Sequence, residues 1–165
     1  MGLLRIHWWD YWELSEQIRM RPDWFRQLQC VLSGCKVFLR ICWLKTISNA
    51  WCTTHRMHES VLWPCVFGCN DAKDEMLHYL VCPVLWQIAT EKLGPEDSFS
   101  IGSRLGLCVP TVHKLQRLAF VHAIYHACKN DCLCTKADGT LVDPRTVQCR
   151  AAEFSRTVIH LVACT

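Results

Sequence analysis

Cys65, Cys69, His78 and Cys82 stand within eighteen residues, in the stretch CVFGCNDAKDEMLHYLVC, with the spacing C-x3-C-x8-H-x3-C. Thiolate sulfur and imidazole nitrogen are the donors zinc prefers, four to a tetrahedron, with sulfur at about 2.3 Å and nitrogen at about 2.0–2.1 Å. Cys65 and Cys69 can supply two donors from one tight turn. Gly68, just before Cys69, can take the positive φ that folds a backbone around a metal. Asp71, Asp74 and Glu75 read as the start of a helix, where acidic side chains meet the positive end of its dipole. His78 and Cys82, four residues apart, would share one helical face, and the following Pro83 would end or kink that turn. The spacing therefore predicts a turn plus a helix closing on one zinc ion.

The composition supplies a competing explanation. With 13 cysteines and 8 histidines in 165 residues, this spacing arises by chance about once in a few hundred such chains, and sensible variants of it more often. Cysteines can also be small buried hydrophobes, and His78 a hydrogen-bonded core residue. An odd number of cysteines and an N-terminal MGLLRIHWWDYWEL that does not read as a secretory signal favour thiols and metal thiolates over a disulfide framework, hence an intracellular protein, nuclear or cytoplasmic. The best membrane candidate, VLSGCKVFLRICWLKTI from Val31, carries Lys36, Arg40 and Lys45, which suit a half-buried helix better than a spanning one.

The elements that must position these donors read mostly as helix. Half of the residues are apolar and a fifth charged, which argues for a folded core. Asp23 is placed to cap a helix to about Leu32, and a second runs from Cys35 to about Ser48. The segment TISNAWCTTHRMH predicts a short helix ending before Pro64. Pro83 opens a helix through Lys92, stopped by Gly94-Pro95, and EDSFSIGSRLGLCVP is a loop with at most one helical turn. Thr111 caps a periodic helix in which Val112, Leu115, Leu118, Ala119, His122, Tyr125 and His126 recur at spacings of three and four. Asp143 and Pro144 open a last helix. Strands are limited to short candidates around Trp63 to Phe67 and Thr140 to Val142. The expectation is a mainly α, small helical domain with few or no strands: a helical segment over 1–60, a CCHC zinc module over 61–92 and a helical segment over 93–165, together one compact unit.

From about Lys45 to Trp86 the chain resembles the region downstream of the polymerase in reverse transcriptases of non-LTR (LINE-like) retrotransposons. The likeness rests on ISNAWCTTHRMHES and on LWPCVFGCNDAKDEMLHYLVCPVLW, with a weaker echo in RLAFVHAIYHACKND. The resemblance implies a C-terminal CCHC zinc-binding motif with ligands Cys65, Cys69, His78 and Cys82, and a role in engaging RNA or DNA. The chain also departs from that family. It contains no Asp-Asp dipeptide for the polymerase metals and is too short for fingers and palm, so it looks like a detached or degenerate C-terminal piece without catalysis.

The net charge of +3 is uneven. Residues 1–60 hold eight Lys/Arg against five Asp/Glu, 61–110 three against six, and 111–165 seven against four. Arg40, Lys45 and Arg56 could face a nucleic-acid backbone, with Trp43 or Trp51 stacking on bases; solvated cations and core tryptophans are the alternative. His122, His126, Cys128, Cys132 and Cys134 are enough donors for a second metal, although the histidines lie on an apolar face that favours core packing. Cys132 and Cys134 could instead form a redox-sensitive pair. Cys52 near His55 and His58 is the nearest approach to a thiol nucleophile, without an orienting third group. These readings converge on a zinc module that binds RNA or DNA weakly, uses no small-molecule substrate and meets no membrane. A structural or protein-interaction zinc module, or a relic of a retroelement, is the alternative.

Overall fold

The structure, a computed structural model, describes residues 23–130 and 140–163. It is mainly helical: α1 (Trp24–Gly34), α2 (Val37–Ile47), α3 (Met76–Tyr79), α4 (Pro83–Leu93), α5 (Ile101–Arg104), α6 (Val112–Asn130) and α7 (Pro144–Val162). Among the described residues no strand is longer than an isolated bridge, such as the antiparallel pair Pro64 and Lys73. No helix among them is long and apolar enough to cross a membrane. Trp8, Trp9, Trp12, Cys132 and Cys134 lie outside the described residues.

The nineteen-residue α6 is the axis, packed against α2, α4, α5 and α7. Its periodicity suggests one buried stripe, but residues 117–122 are buried without a break. Six consecutive residues span more than a full turn, so α6 is enclosed from several sides at that level. In α7 a single stripe, Val147, Ala151, Ser155, Val158 and Val162, is buried, as expected of an outer helix. Its start matches the sequence reading: Pro144 sits in the first turn and the Asp143 carboxylate accepts the Thr146 N–H at 3.2 Å. Thr111 Oγ1 likewise accepts the Lys114 N–H at 3.2 Å at the head of α6.

Two of the smaller expectations fail for a physical reason. Asp23 precedes α1 but makes no capping bond, and its carboxylate meets Arg26 instead. No helix forms between Ala50 and Pro64. There Thr53 Oγ1 accepts the Arg56 N–H, Thr54 Oγ1 accepts the Trp63 N–H, and the Thr54 N–H goes to Asp74. Side chains and a distant carboxylate take the backbone groups a helix would use.

Buried polar groups tie the outer segments to the core. Trp43 Nε1 donates to the Leu105 carbonyl at 2.9 Å. Arg104 holds Glu96 in a two-bond fork at 2.8 and 2.9 Å, donates to the Leu80 carbonyl at 2.7 Å, and lies 4.0 Å over the Trp86 ring.

Candidate metal centre

The turn bearing Cys65 and Cys69 is built by a short ladder. The Cys65 N–H donates to the Ala72 carbonyl at 2.7 Å and the Asp74 N–H to the Trp63 carbonyl at 2.8 Å, folding residues 63–74 back on themselves. At the tip the Gly68 N–H meets the Cys65 carbonyl at 3.0 Å, and Gly68 takes φ +82°. A Cβ at Gly68 would lie 2.6 Å from the Pro144 Cβ, so glycine is required both by the turn and by the head of α7 seated on it. Gln148 of α7 donates to the Phe67 carbonyl at 2.7 Å.

His78 comes from the single turn of α3. Cys82 does not share its helix, contrary to the sequence expectation: α3 ends at Tyr79, and Cys82 is the N-cap residue of α4. Chain reversal between two short helices brings the pair together, instead of one helical face. The four donor atoms of Cys65, Cys69, His78 and Cys82 all lie within 4.8 Å of one another. Cys69 Sγ and Cys82 Sγ are 3.6 Å apart. Sulfurs on a tetrahedral zinc with bonds of 2.3 Å would be about 3.8 Å apart, so the separation fits shared coordination.

His78 Nε2 is buried and has no hydrogen-bond partner. A buried imidazole nitrogen without a partner loses its hydration for nothing in return, whereas a metal ion would use its lone pair. The sulfurs are prepared as well. Amide N–H groups of Phe67 and Cys69 point to Cys65, that of Val84 to Cys69, and that of Leu85 to Cys82, the last two from the first turn of α4. Such bonds orient ligands and stabilise thiolate charge. Hydrogen bonding from Cys82 lowers the Cys65 thiol to about 4 against the opposing effect of burial, with help from the two amides. The same interaction with Cys65, together with burial, raises Cys82. Burial and the Cys65 charge raise Cys69. One thiolate beside two thiols and an imidazole is a site whose remaining protons a bound metal would displace.

Beneath the turn lies a hub that the sequence did not reveal. Asp74 is fully buried and does not cap α3; Glu75 holds the N-cap position and makes no side-chain cap bond either. Asp74 Oδ2 accepts the Thr54 N–H at 2.7 Å and pairs with Lys129 Nζ at 2.6 Å. Its Oδ1 accepts the Tyr79 hydroxyl at 2.8 Å and the Tyr125 hydroxyl at 3.0 Å. Burial alone would raise the Asp74 carboxyl, but Lys129, the Thr54 amide and the Tyr79 hydroxyl outweigh it and hold it below the usual carboxylate range. Lys129 Nζ also lies 5.0 Å from the Trp63 ring. No spacing rule links Asp74 to a lysine 55 residues on; the only sequence signal was an acid too near an apolar run.

The other candidate residues separate. Arg40, Lys45 and Arg56 are exposed. Trp51 is fully buried, stacked on Tyr125 at 5.1 Å with Nε1 on Thr46 Oγ1, and Trp43 is buried too. Neither can stack on a base, which corrects the sequence reading. His122 is buried and His126 half-buried, with ring centroids 4.3 Å apart, and no third donor joins them among the described residues. Cys128 is buried. Cys52 is exposed, and no hydrogen bond joins its sulfur to His55 or His58 among the described residues.

The described residues thus contain one cluster of cysteine and histidine donors that could hold a metal ion. Comparison of the chain with protein-family models, with curated proteins and with solved structures finds no match.

Proposed function

We propose that this chain is a non-catalytic zinc module in which the metal is structural, joining the Cys65–Cys69 turn, α3 and the head of α4. The observation that carries the reading is the convergence of Cys65, Cys69, His78 and Cys82, whose donor atoms lie within 4.8 Å of one another, with a buried His78 Nε2 that has no hydrogen-bond partner. Zinc suits three sulfurs and one imidazole better than calcium or magnesium, which take oxygen donors. Four protein donors also leave no open coordination position for catalysis. Metal content by mass spectrometry on protein purified without chelator tests this: one zinc per chain is expected, and metal-free folded protein overturns it.

The resemblance of Lys45–Trp86 to retroelement reverse transcriptases supports descent from such an element and engagement of RNA or DNA. Exposed Arg40, Lys45 and Arg56 offer phosphate contacts, while the burial of Trp43 and Trp51 removes base stacking by those residues. Binding through phosphates alone is weak, indifferent to sequence and steeply salt-dependent. Replacing Lys45 and Arg56 with Gln should flatten the slope of log K against log salt by nearly two units for duplex DNA. An unchanged slope, or no wild-type binding at low salt, removes nucleic acid from the reading and leaves the structural zinc module.

A further inference from the structure

Helix α2 has two apolar faces, and only one of them is used. Leu39, Cys42, Trp43, Thr46 and Ile47 are buried toward the core. On the opposite side Val37, Ile41 and Leu44 are 60%, 46% and 55% exposed. Their spacing of four and then three residues is that of successive d, a and d positions of a heptad, the seam along which one helix pairs with another. Arg40, just before the a position, is then a g residue, and Lys45, just after the second d, is an e residue. At about 100° per residue the two cations fall about 70° to either side of the seam, and both are exposed. Side chains at e and g meet the partner helix and set which partner is accepted.

Both flanks of this seam are positive, and the neighbouring chain supplies no acid to offset them. Residues 24–58 hold Arg26, Lys36, Arg40, Lys45 and Arg56 and no aspartate or glutamate. Such a face rejects its own copy in either orientation. Parallel pairing would set Arg40 against Lys45 of the other copy, and antiparallel pairing would set each cation against its own counterpart. A bilayer is matched poorly as well, because a helix of about 16 Å with its other face fixed in the core has little apolar area to insert. An acidic amphipathic helix meets both requirements: it buries the seam and answers the two cations.

We propose that the outward face of α2 is one half of a helix pair whose other half is an amphipathic helix of a partner protein, apolar at a and d and acidic at e and g. The seam is short, so the complex is weak and transient, and the charges decide its specificity more than its strength. Arg40 and Lys45 are also assigned above to phosphates, so an acidic helix and a nucleic acid compete for them. The proposal does not rest on that assignment, because its probes contain no phosphate. The isotope-labelled full chain is titrated at low salt with synthetic three-heptad peptides carrying Ile at a and Leu at d, with either Glu or Lys at every e and g position, and the amide signals are followed by NMR. The glutamate peptide should shift the signals of the outward residues of α2, and the lysine peptide should not. Arg40→Glu combined with Lys45→Glu should invert that preference, and Ile41→Gln should weaken the glutamate peptide several-fold while the signals of the other helices stay in place. No shift at α2 with the glutamate peptide, equal binding of the two peptides, or a preference unmoved by the charge reversal overturns the proposal. Self-association through α2, or anionic vesicles shifting α2 where the glutamate peptide does not, overturns it in favour of a second copy or a lipid surface.

Discussion

Residues 63–82 and the α6–α7 pair bury comparable kinds of side chain but are held in different ways. In the turn, donors drawn from eighteen consecutive residues converge on one point, and the backbone is shaped by a positive-φ glycine and by amides aimed at sulfur. In the helical pair, a nearly enclosed α6 meets the single apolar stripe of α7, and the stabilisation is non-directional burial. The first region tolerates little change of chemistry and the second little change of volume. The Asp74 hub, with Lys129 and Tyr125 reaching it from α6, is where the two meet.

The largest effect expected is from the metal ligands. Cys69→Ser or His78→Ala should abolish stoichiometric zinc and open residues 63–86 to hydrogen exchange, while α6 and α7 stay more protected; apparent binding energies at structural zinc sites reach about 10–16 kcal/mol. Metal analysis with exchange mass spectrometry checks this, and retention of zinc by either variant breaks the assignment. Asp74→Ala should cost about 3–5 kcal/mol, because it leaves a mostly buried ammonium unpaired. Adding Lys129→Met should recover part of that loss in denaturant titrations, and a double variant no better than the single one would show that the hydroxyl and amide bonds carry the hub.

Gly68→Ala should cost about 2–3 kcal/mol, combining the positive φ with crowding against Pro144. Loosening of α7 along with the turn would sharpen the picture of a joint, and a neutral substitution would contradict it. The smallest effect per residue belongs to the helical part. Burial depresses His122 to about 3 and His126 to about 4, each aided by charge: His126 and Lys45 act on His122, and Lys45 and Lys129 on His126, with Asp74 opposing there. Both groups bind protons more readily when unfolded, at about 6.5. Their contribution is therefore intact above pH 6.5 and is lost as pH falls from there toward 4. About 2 kcal/mol for each histidine should disappear between pH 7 and 5 with zinc saturating, and replacing both histidines with Gln should flatten that part of the profile.

What the sequence revealed divides along the same line. The cluster of Cys65, Cys69, His78 and Cys82, which could hold a metal ion, was legible because ligand spacing is local and few residue types bind metals in this pattern. Gly68, Pro144 and the Asp143 cap were legible because each acts on its own backbone neighbourhood. Asp74 was misread as a helix-start acid, since its partners Thr54, Tyr125 and Lys129 lie 20 to 55 residues away. Trp51 carried no mark of burial: its ring contacts come from α3 and α6, and tryptophan beside a basic residue reads equally as a stacking platform. The enclosure of α6 was hidden for a related reason, because Arg117, Phe120 and Val121 break a single-stripe pattern only when helices pack on several sides.

The seating of α7 on the metal turn bears on timing. Gly68 lies against Pro144, and Gln148 reaches back to Phe67 across 81 residues, so the helix that seats on the turn is synthesised well after it. Contacts this distant in sequence form slowly. Cys65 through Cys82 leave the ribosome well before α7 does, at about 5–20 residues per second, which gives the ligands several seconds to take up an ion while the turn is still open. In the zinc module proposed above, the ligands would therefore meet their ion before the head of α7 seats on Gly68.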